Sequence, residues 1–535
     1  MHSAVAVTAG KHRHAPGRRV ETAAHANSAR TSRLGVWPTC LVVIGLLFLA
    51  MCAWSTFQWH RGGNAWDISD FNQSTWLILH GDLNPYSSVS GGGTFLQEHF
   101  ALFLYPLTLV YALYPNGLTL LLLQDLALAL ASLVAIRWVL EMFERQLDQD
   151  SPILTRRLAT WCVLGFLVVL VFDPWLWQGI SFDFHMEGFA ALFLVLAARA
   201  FWRQQPTSAL IWSALALTTS DYAGLLVLAL GLCVVLAGTG VRRWGLVAMA
   251  AGAGWLLLVG ALGYDRGDNL QAYAYITAGA GGTGTVTTPR LALAMVSHPS
   301  RWLTMLGTKP LDLYRNFVPT GVLGMVSPWS FAVVLAVIIP AALLPPPIFL
   351  ESGFQTIPAE IVGLCGSAFL LLWIARAVAR RWNAGAARIT VAILALAVFA
   401  QCFAVAAVML PRIPGYWIQV SAPQGVAINK AAGLIPEGAQ VVASMPVLGH
   451  FSGRRWADAL VGPGQSFPIE SRTVYFVIAP TAGRISMTPA QSEEAITNAE
   501  RLGAVPVLTE HGVHVLRWHP GPGHRPIVIV PLASG

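Results

Sequence analysis

Residues 58–99 read QWHRGGNAWDISDFNQSTWLILHGDLNPYSSVSGGGTFLQEH and form a long polar and aromatic connection between two strongly apolar segments. Only 11% of the chain's residues are charged, yet this stretch concentrates acids and histidines. They are Asp67, Asp70, Asp82, Glu98, His60, His80 and His99. Long loops between apolar elements are uncommon and often functional, so this stretch is the first candidate for a site.

The whole chain has the composition of a protein that crosses a membrane several times. Of its 535 residues 55% are hydrophobic, and the mean hydropathy is +0.59. Soluble domains rarely reach this level, so the repeated apolar runs predict a polytopic α-helical membrane protein. The net charge of +7 does not indicate a nucleic-acid partner, because the basic residues lie at the ends of apolar runs and in the first 36 residues. Basic residues in those places orient a protein in the bilayer.

Several common site motifs are absent from the sequence. The six cysteines lie in or at the edges of apolar segments and form no Cys-x-x-Cys pair, so neither a disulfide framework nor a zinc site is indicated. There is no Walker loop and no dinucleotide glycine fingerprint after a strand. The glycines at 91–93 are predicted to be a flexible connection, and no serine–histidine–acid set stands out.

Composition divides the chain into three regions. Residues 1–36 are predicted to be a disordered basic cytoplasmic tail, and residues 411–535 a small extracytoplasmic α/β domain. Between them, residues 37–410 are predicted to hold roughly ten to eleven spans with a long first external loop at 58–99. The basic clusters place the N-terminus inside, and the span count then leaves the C-terminal domain outside.

Three places interrupt the regular series of spans. Residues 99–115 are apolar but short, which favours a re-entrant or interfacial helix. The long apolar run 209–238 is broken at 218–221, which predicts a tight hairpin. Residues 317–344 contain three prolines and predict a broken or paired helical element.

The C-terminal region carries local signals of an α/β domain. VVASMP and VYFVIAP predict short buried strands. In TPAQSEEAITNAERLG, Thr488 is the predicted N-cap, Pro489 the first helical residue, Gln491 the partner in a capping box and Gly503 the terminator. PVLTEHGVHVLRW predicts a hairpin that turns at His511 and the glycine after it.

Asp67 and Asp70 are the first pair of candidate site residues. Three positions apart in a helix, they share a face. One carboxylate could act as base on a sugar or lipid hydroxyl, or the pair could hold a divalent cation. The alternative is a solvated loop, but acids at a membrane boundary beside Trp66 and Trp76 are costly unless they are used.

A second polar segment, SFDFHMEG at 181–188, holds Asp183, His185 and Glu187. Asp183 and His185 point the same way if the segment is extended, so they could bind a metal or orient a phosphate-bearing substrate. The segment could equally be an interfacial turn whose aromatic residues lie at headgroup depth.

Four other positions have two interpretations each. Asp221 interrupts an apolar run, where an ionised carboxylate costs about 3 kcal/mol at mid-depth, although a hairpin tip would relieve that cost. Glu98 and His99 could cap the next segment or belong to the site. In GHFSGRR, Arg454 beside His450 could clamp a phosphate or form a surface salt bridge.

Taken together, these motifs resemble the domain-of-unknown-function 2079 family of predicted bacterial membrane proteins. The resemblance begins in WDISDFNQSTWLILHGDLNPYSS and EHFALFLYPLTLVYALYPNGLTLLLLQDLALAL. The matching residues there are Asp67, Gln73, Trp76, Gly81, Pro85, Tyr86, His99, Phe100 and Gln124. It continues in FDFHMEG, in TTSDYAGLLVLALGL through Asp221, and in VVASMPVLGHFSGRR through His450 and Arg454. The chain departs from the family pattern at Asn72, which replaces the second acid, and before Asp221, where a Lys-Glu pair is missing.

That family is similar in architecture to the GT-C glycosyltransferases, which take sugar from a polyprenyl-phosphate carrier. The resemblance implies a bacterial plasma-membrane enzyme in which Asp67 deprotonates the hydroxyl of a cell-envelope glycan or glycolipid acceptor, with inversion at the anomeric carbon. A metal ion or an arginine would offset the charge of the phosphate leaving group. The implied substrate-binding residues are Asp70, Gln73, Glu98, His99, Asp183, His185, Asp221, His450 and Arg454.

Two other functions remain open from the sequence. A transporter or flippase of lipid-linked precursors would need polar residues along a path through the membrane, whereas the acids cluster at the external edge. A non-catalytic membrane scaffold would use the outer α/β domain to bind a partner, and its acids could be changed without effect.

Overall fold

The computed structural model describes residues 34–63, 67–89, 93–148, 153–238, 240–263, 273–278, 286, 288–310, 314, 321–343, 355–418, 420–482, 487–521 and 526–530. The predicted tail therefore lies almost entirely outside the described residues. The helices of the first half are α1 Trp37–Arg61, α2 Asp67–Leu79, α3 Phe95–Glu98, α4 Leu104–Tyr111, α5 Gly117–Leu147, α6 Arg156–Val171, α7 Pro174–Phe182, α8 Glu187–Trp202, α9 Pro206–Leu217, α10 Ala223–Leu236 and α11 Arg242–Leu262.

The helices of the second half are shorter except for two. They are α12 Ala274–Ala278, α13 Thr288–Ser297, α14 Pro299–Gly307, α15 Val322–Val326, α16 Phe331–Leu343, α17 Ile357–Arg381, α18 Ala384–Met409, α19 Arg412–Trp417, α20 Ala422–Leu434 and α21 Pro489–Arg501. The strands are β1 Gln440–Ser444, β2 Ala457–Leu460, β3 Ser466–Phe467, β4 Val474–Ile478, β5 Val505–Glu510, β6 Val513–Trp518 and β7 Ile527–Val528.

The described chain is a polytopic helical membrane protein with a small α/β unit at its C-terminus, as predicted. Six helical segments are long and apolar enough to cross a bilayer: Trp37–Arg61, Gly117–Leu147, Arg156–Phe182, Arg242–Leu262, Ile357–Arg381 and Ala384–Gly415. Shorter apolar helices occupy Pro206–Leu217, Ala223–Leu236 and Phe331–Pro340. The count of roughly ten to eleven spans therefore remains a prediction.

The predicted interruptions coincide with helix boundaries. The break at 218–221 is confirmed, because α9 ends at Leu217 and α10 begins at Ala223. Within 99–115 the helix is α4, with 8 residues, which is too short to span. In the described part of 317–344, α15 and α16 are separate helices and Pro340 lies inside α16, so the broken element is confirmed.

Helix α5 is the element around which the bundle is built. Its 31 residues correspond to about 46 Å, and it packs on α1, α8 and α17. At its first residue, a Cβ on Gly117 would come within 2.6 Å of the Trp59 ring. Glycine therefore lets the start of α5 approach the end of α1. Near the other end of α5, the Arg137 guanidinium lies 4.9 Å from the Trp37 ring at the start of α1.

The C-terminal unit is a five-stranded mixed sheet flanked by helices, with strand order β2-β1-β4-β6-β5. Strands β1 and β4 are fully buried and pair in parallel, as expected for VVASMP and VYFVIAP. The predicted hairpin is confirmed: β5 and β6 are antiparallel, and His511 and Gly512 between them have φ of 50° and 76°. The capping box of Thr488 and Gln491 at α21 is also confirmed.

This unit is attached to the end of α1 by direct hydrogen bonds. Arg61 Nε donates to the Val420 carbonyl at 2.9 Å, and Asn429 Nδ2 donates to the His60 carbonyl at 2.7 Å. A Cβ on Gly425 would lie 2.7 Å from the Arg61 carbonyl oxygen, so α20 approaches the end of α1 as closely as glycine allows. The end of α1 thus fixes both α5 and the C-terminal unit.

Candidate functional site

The two predicted acids lie on the first turn of α2. Asp67 is its first residue and Asp70 follows one turn later, so the shared helix face is confirmed. A carboxylate at a helix N-terminus is favoured by the free N–H groups of the first turn. The Asp67 side chain is 14% exposed, whereas Asp70 is almost completely buried. Asp67 is therefore the more accessible member of the pair.

Asp67 contacts the second polar segment directly. His185 Nε2 lies 2.6 Å from Oδ2 of Asp67, and the imidazole is itself largely buried. His99 Nε2 lies 3.9 Å from Oδ1 of Asp67 and 3.8 Å from Oδ2 of Asp70, with the ring against Phe71. The fold therefore brings together residues that are predicted from three separate parts of the sequence. We call Asp67, Asp70, His99, Asp183 and His185 the acid–histidine cluster.

The segment that carries His185 is held by an amide from α5. Gln124 Nε2 donates to the carbonyl of Asp183 at 3.1 Å, and the backbone N–H of His185 donates to Gln124 Oε1. Both groups of one side chain thus bind the backbone on either side of residue 184. Sequence analysis did not assign Gln124 to the site. Its signal was a Gln-Asp pair within the otherwise apolar run of α5.

Asp183 and Glu187 lie beside His185 in different settings. Asp183 is 1% exposed, and its Oδ1 accepts from the backbone N–H of Phe184 at 2.9 Å. Its Oδ2 has no hydrogen-bond partner among the described residues. Glu187 accepts a 2.7 Å hydrogen bond from the hydroxyl of Tyr222, which follows Asp221. Asp221 is half-buried and is linked to the segment through this neighbour.

The charges of Asp67 and His185 support each other. Burial alone would raise the pKa of Asp67, but the charge and hydrogen bond of His185 outweigh it and hold the pKa below its usual value. Burial alone would lower the pKa of His185, and the Asp67 carboxylate reverses this and raises it. Each member of the pair therefore favours the charged form of the other, a carboxylate beside an imidazolium.

The pKa values of Asp70 and Asp183 are raised, in contrast to that of Asp67. Burial raises the pKa of Asp70 to about 7, although hydrogen bonds from Ser87 and Ser88 partly oppose the shift. Burial and the nearby charge of Asp67 raise the pKa of Asp183 to about 7 as well. Both acids thus carry a proton during much of the time at neutral pH, and a protonated carboxyl can donate a hydrogen bond.

Gln73 and Glu98 lie around the cluster and not within it. Gln73 Nε2 donates to the Tyr86 hydroxyl at 2.6 Å and approaches the backbone carbonyls of Arg455 and Ala457. It therefore faces the C-terminal unit. Glu98 is exposed at the end of α3, and its charge contributes to the raised pKa of Asp70.

His450 and Arg454 belong to the attachment of the C-terminal unit. The His450 ring stacks on Trp59 with 4.3 Å between ring centroids. Arg454 is 6% exposed and donates to backbone carbonyls, with Nε to Phe451 at 2.6 Å and Nη1 to Pro436 at 3.0 Å. The surface salt bridge considered for Arg454 is therefore wrong. Its recorded hydrogen bonds all lie within the C-terminal unit.

A divalent cation held by Asp67 and Asp70 stays a prediction. Within the described residues, no group of three His, Cys, Asp or Glu side chains is placed to ligate an ion.

Comparison with known proteins gives one family and several structures. The family described as Predicted membrane protein (DUF2079) matches residues 63–503. None of the curated proteins matches the chain. ArnT from Cupriavidus metallidurans bound to undecaprenyl phosphate is similar at 13% identity and a TM-score of 0.45, over 91% of this chain and 98% of that one. The apo state of the same protein has 12% identity and a TM-score of 0.44, over 92% and 98%.

Proposed function

The chain belongs to the Predicted membrane protein (DUF2079) family, and we propose that it transfers a sugar from a polyprenyl-phosphate carrier to an extracytoplasmic acceptor. The observation that carries this proposal is the contact between Asp67 and His185 at 2.6 Å. It puts an ionised base and a cationic group side by side at a partly exposed position. Transfer of a phosphate-linked sugar requires both.

Asp67 is the base in the proposed reaction. The acceptor is the hydroxyl of a cell-envelope glycan or glycolipid, and its oxygen attacks the anomeric carbon while Asp67 takes its proton. The bond from that carbon to the phosphate oxygen breaks, so the configuration inverts and polyprenyl phosphate leaves. Because the pKa of Asp67 is low, the proton moves late, when the new bond has already made the hydroxyl acidic.

His185 supplies positive charge for the phosphate leaving group, and His99, whose pKa is lowered by burial, offers it a hydrogen bond. The phosphate gains negative charge as the bond breaks, and a fixed imidazolium stabilises that charge at little reorganisation cost. His185 holds its proton because Asp67 raises its pKa. His99 is 32% exposed and therefore accessible to a substrate phosphate.

Asp70 and Asp183 are proposed to bind sugar hydroxyls or phosphate oxygens. Each has a buried Oδ2 that lacks a hydrogen-bond partner in the described chain. Buried polar atoms are rarely left unsatisfied without a reason, and a ligand at this position would supply the partner. A pKa of about 7 lets each acid donate to such a ligand.

The proposal includes the location of the reaction. The partners are the lipid bilayer, the lipid-linked sugar and the acceptor, in the plasma membrane of a bacterium. The N-terminus is cytoplasmic, and the acid–histidine cluster and the region 411–535 face outside, because the basic residues between spans favour the cytoplasm. Region 37–410 then forms the membrane domain and 1–36 the tail.

The test is transfer by the Asp67→Asn variant in proteoliposomes that contain a radiolabelled polyprenyl-phosphate sugar and extracted envelope glycolipid. We expect normal membrane insertion and loss of transfer, because the amide cannot accept the proton. Asp82→Asn is the matched control: it removes an exposed acid of the same loop and should leave transfer unchanged. Normal transfer by Asp67→Asn would remove Asp67 from the mechanism.

One observation favours a second function, transport of a lipid-linked precursor. The expectation that the acids cluster only at the external edge is incomplete, because Asp125 is fully buried within the spanning helix α5. Neither of its carboxyl oxygens has a hydrogen-bond partner among the described residues. Accumulation of the intact lipid-linked sugar in the opposite leaflet, abolished by Asp125→Asn and unaffected by Asp67→Asn, would support transport over transfer.

A further inference from the structure

Four helix ends meet at the end of the bundle opposite the acid–histidine cluster. Helices α5 and α17 end there and α6 and α18 begin there, with direct packing between α5 and α17 and between α17 and α18. The cluster lies near the start of α5, and its roughly 46 Å length separates the two ends. This surface is therefore a separate region from the proposed active site.

One buried acid at this end of the bundle contacts three arginines. Glu141 of α5 binds Arg137 at 3.2 Å, Arg199 at 2.5 Å and Arg203 at 3.1 Å. Arg145 places its guanidinium 3.7 Å from the centre of the Trp202 ring. These arginines already have partners within the protein.

Arg376 and Arg380 of α17 are in a different setting. They line a cleft of about 450 Å³ together with Ala379 and Ile153. They are one turn apart on the same helix, where like charges repel each other. Neither forms a salt bridge with a carboxylate in the part of the chain that the structure describes. The cleft thus contains two adjacent cations that a bound anion would stabilise.

One of these guanidiniums is held in place. Arg376 Nε donates to Oε1 of Gln146 at 2.7 Å, and Gln146 is 1% exposed. This bond leaves the two terminal nitrogens of Arg376 available for a ligand. Arg388 of α18 donates its Nε to the Ile153 carbonyl at 3.0 Å, which places a third guanidinium at the edge of the cleft. A preorganised fork of this kind suits the paired oxygens of a phosphate.

Exposed tryptophans place this cleft at the surface of the bilayer. Trp373 of α17 and Trp382, the residue that follows α17, are 57% and 69% exposed, before and after the two arginines. Tryptophan is enriched at the headgroup level of membranes. Basic pockets between membrane helices at this depth bind the headgroups of anionic lipids.

We propose that the cleft of Arg376 and Arg380 binds the phosphodiester of an anionic phospholipid in the leaflet opposite the acid–histidine cluster. One non-bridging oxygen accepts from the terminal nitrogens of Arg376 and the other from Arg380. The acyl chains follow the apolar surfaces of α17 and α18. The site is independent of the proposed sugar transfer, because it lies at the other membrane face.

The test is calorimetric titration of the full-length protein in neutral detergent with dioctanoylphosphatidylglycerol. We expect saturable binding that weakens by about tenfold or more in the Arg376→Gln/Arg380→Gln variant, because both charge-assisted contacts are lost. Arg376→Lys/Arg380→Lys keeps the charge without the fork and should weaken binding less. Dioctanoylphosphatidylcholine, whose headgroup has no net charge, should bind more weakly to the unchanged protein.

The control is Arg156→Gln/Arg157→Gln, which removes the same charge from the exposed start of α6 outside the cleft. It should retain phosphatidylglycerol binding, and equal weakening in both double variants would overturn the proposal. Binding of inorganic phosphate as tight as that of the lipid would assign the cleft to free phosphate and overturn the lipid. If Arg376→Gln/Arg380→Gln fails to fold, Gln146→Leu provides the test: it removes the anchor of Arg376 and should weaken binding with the charge intact.

Discussion

Asp67 and His185 are separated by 118 residues in sequence, yet their side chains meet at 2.6 Å. Asp67 is held by the first turn of α2, and His185 by the backbone contacts of Gln124 from α5. Three separate segments thus determine one ion pair. The contact lowers the pKa of Asp67 and raises that of His185, so it favours the ionised base and the cationic imidazole that the proposed transfer uses.

The first prediction concerns the pH dependence of transfer in His185→Gln. In the unchanged protein the low pKa of Asp67 keeps the base ionised down to acidic pH. Without the imidazolium, burial is opposed only by the smaller effect of His99, and the pKa of Asp67 rises. We expect the acid limb of the rate profile to move to higher pH and the maximal rate to fall by about 100-fold or more.

The measurement is initial transfer rate from pH 4 to about 9, within the range where these side chains titrate. Asp70 and Asp183 titrate in both proteins, so the difference between the two profiles reports His185. His80→Gln is a control, because that exposed histidine stacks on Trp76 at the other end of α2. An unchanged acid limb in His185→Gln would show that His185 does not control the ionisation of Asp67.

The second prediction concerns Gln124, which positions the segment that carries His185. Gln124→Leu removes both hydrogen bonds and leaves a buried N–H and a buried carbonyl unsatisfied, so unfolding should become easier by about 1–3 kcal/mol. Because His185 is then no longer fixed against Asp67, the rate profile of the folded variant should also shift as it does in His185→Gln.

The control for Gln124 is Gln58→Leu. Gln58 is equally buried and donates to the Ser181 carbonyl at 3.0 Å, which is outside the 183–185 segment. Loss of the Gln58 side chain should lower the free energy of unfolding by a similar amount and leave the pH profile of the transfer rate unchanged. Thermal unfolding and the rate profile are measured for both variants. A shift in both profiles, or in neither, would show that Gln124 has only a structural role.

Local features of this fold could be predicted from the sequence, and long-range ones could not. The capping box at Thr488 and the turn at His511 depend on neighbouring residues, so the sequence alone specifies them. The two acids on one face of α2 follow from helical periodicity. The contact with His185 depends on how α2, α5 and the 183–185 segment pack, and spacing does not reveal it.

The direction of Gln73 shows the same limit. The family pattern places Gln73 in the same motif as Asp67, but on the helix it points to the C-terminal unit and binds Tyr86. Charge alone likewise did not indicate that the buried guanidinium of Arg454 donates to backbone carbonyls. A motif states which residues occur together and not which of them face one ligand.

The third prediction concerns Asn72, which stands where the family pattern has a second acid. Asn72 accepts from the Tyr111 hydroxyl at 2.7 Å and donates from Nδ2 to the Ser452 hydroxyl oxygen at 3.0 Å. The Ser452 hydroxyl already donates to the Gly449 carbonyl. A carboxylate here would therefore face an oxygen lone pair, and Asn72→Asp should destabilise the contact between α2 and the C-terminal unit by about 1–3 kcal/mol.

The measurement for Asn72→Asp is limited proteolysis after the end of α18, with hydrogen exchange of 440–460 as a second readout. We expect faster cleavage and faster exchange in this variant. Asn84→Asp, at an exposed position of the same loop, is the control and should behave like the unchanged protein. Equal protection of Asn72→Asp would mean that the replacement of the acid has another cause.

The fourth prediction concerns orientation in the membrane. Of the six native cysteines five are buried and Cys52 is partly buried within α1, so the background of maleimide labelling in intact cells should be low. Asp82→Cys and Glu470→Cys introduce thiols at exposed positions in the loop after α2 and on the C-terminal unit. Arg156→Cys introduces one at the start of α6, near the opposite end of the bundle.

With a membrane-impermeant maleimide we expect labelling at 82 and 470 in intact cells, and at 156 only after permeabilisation, because the arginine-rich helix ends favour the cytoplasm. Labelling at 82 only after permeabilisation would place the cluster inside, where an extracytoplasmic acceptor could not reach Asp67.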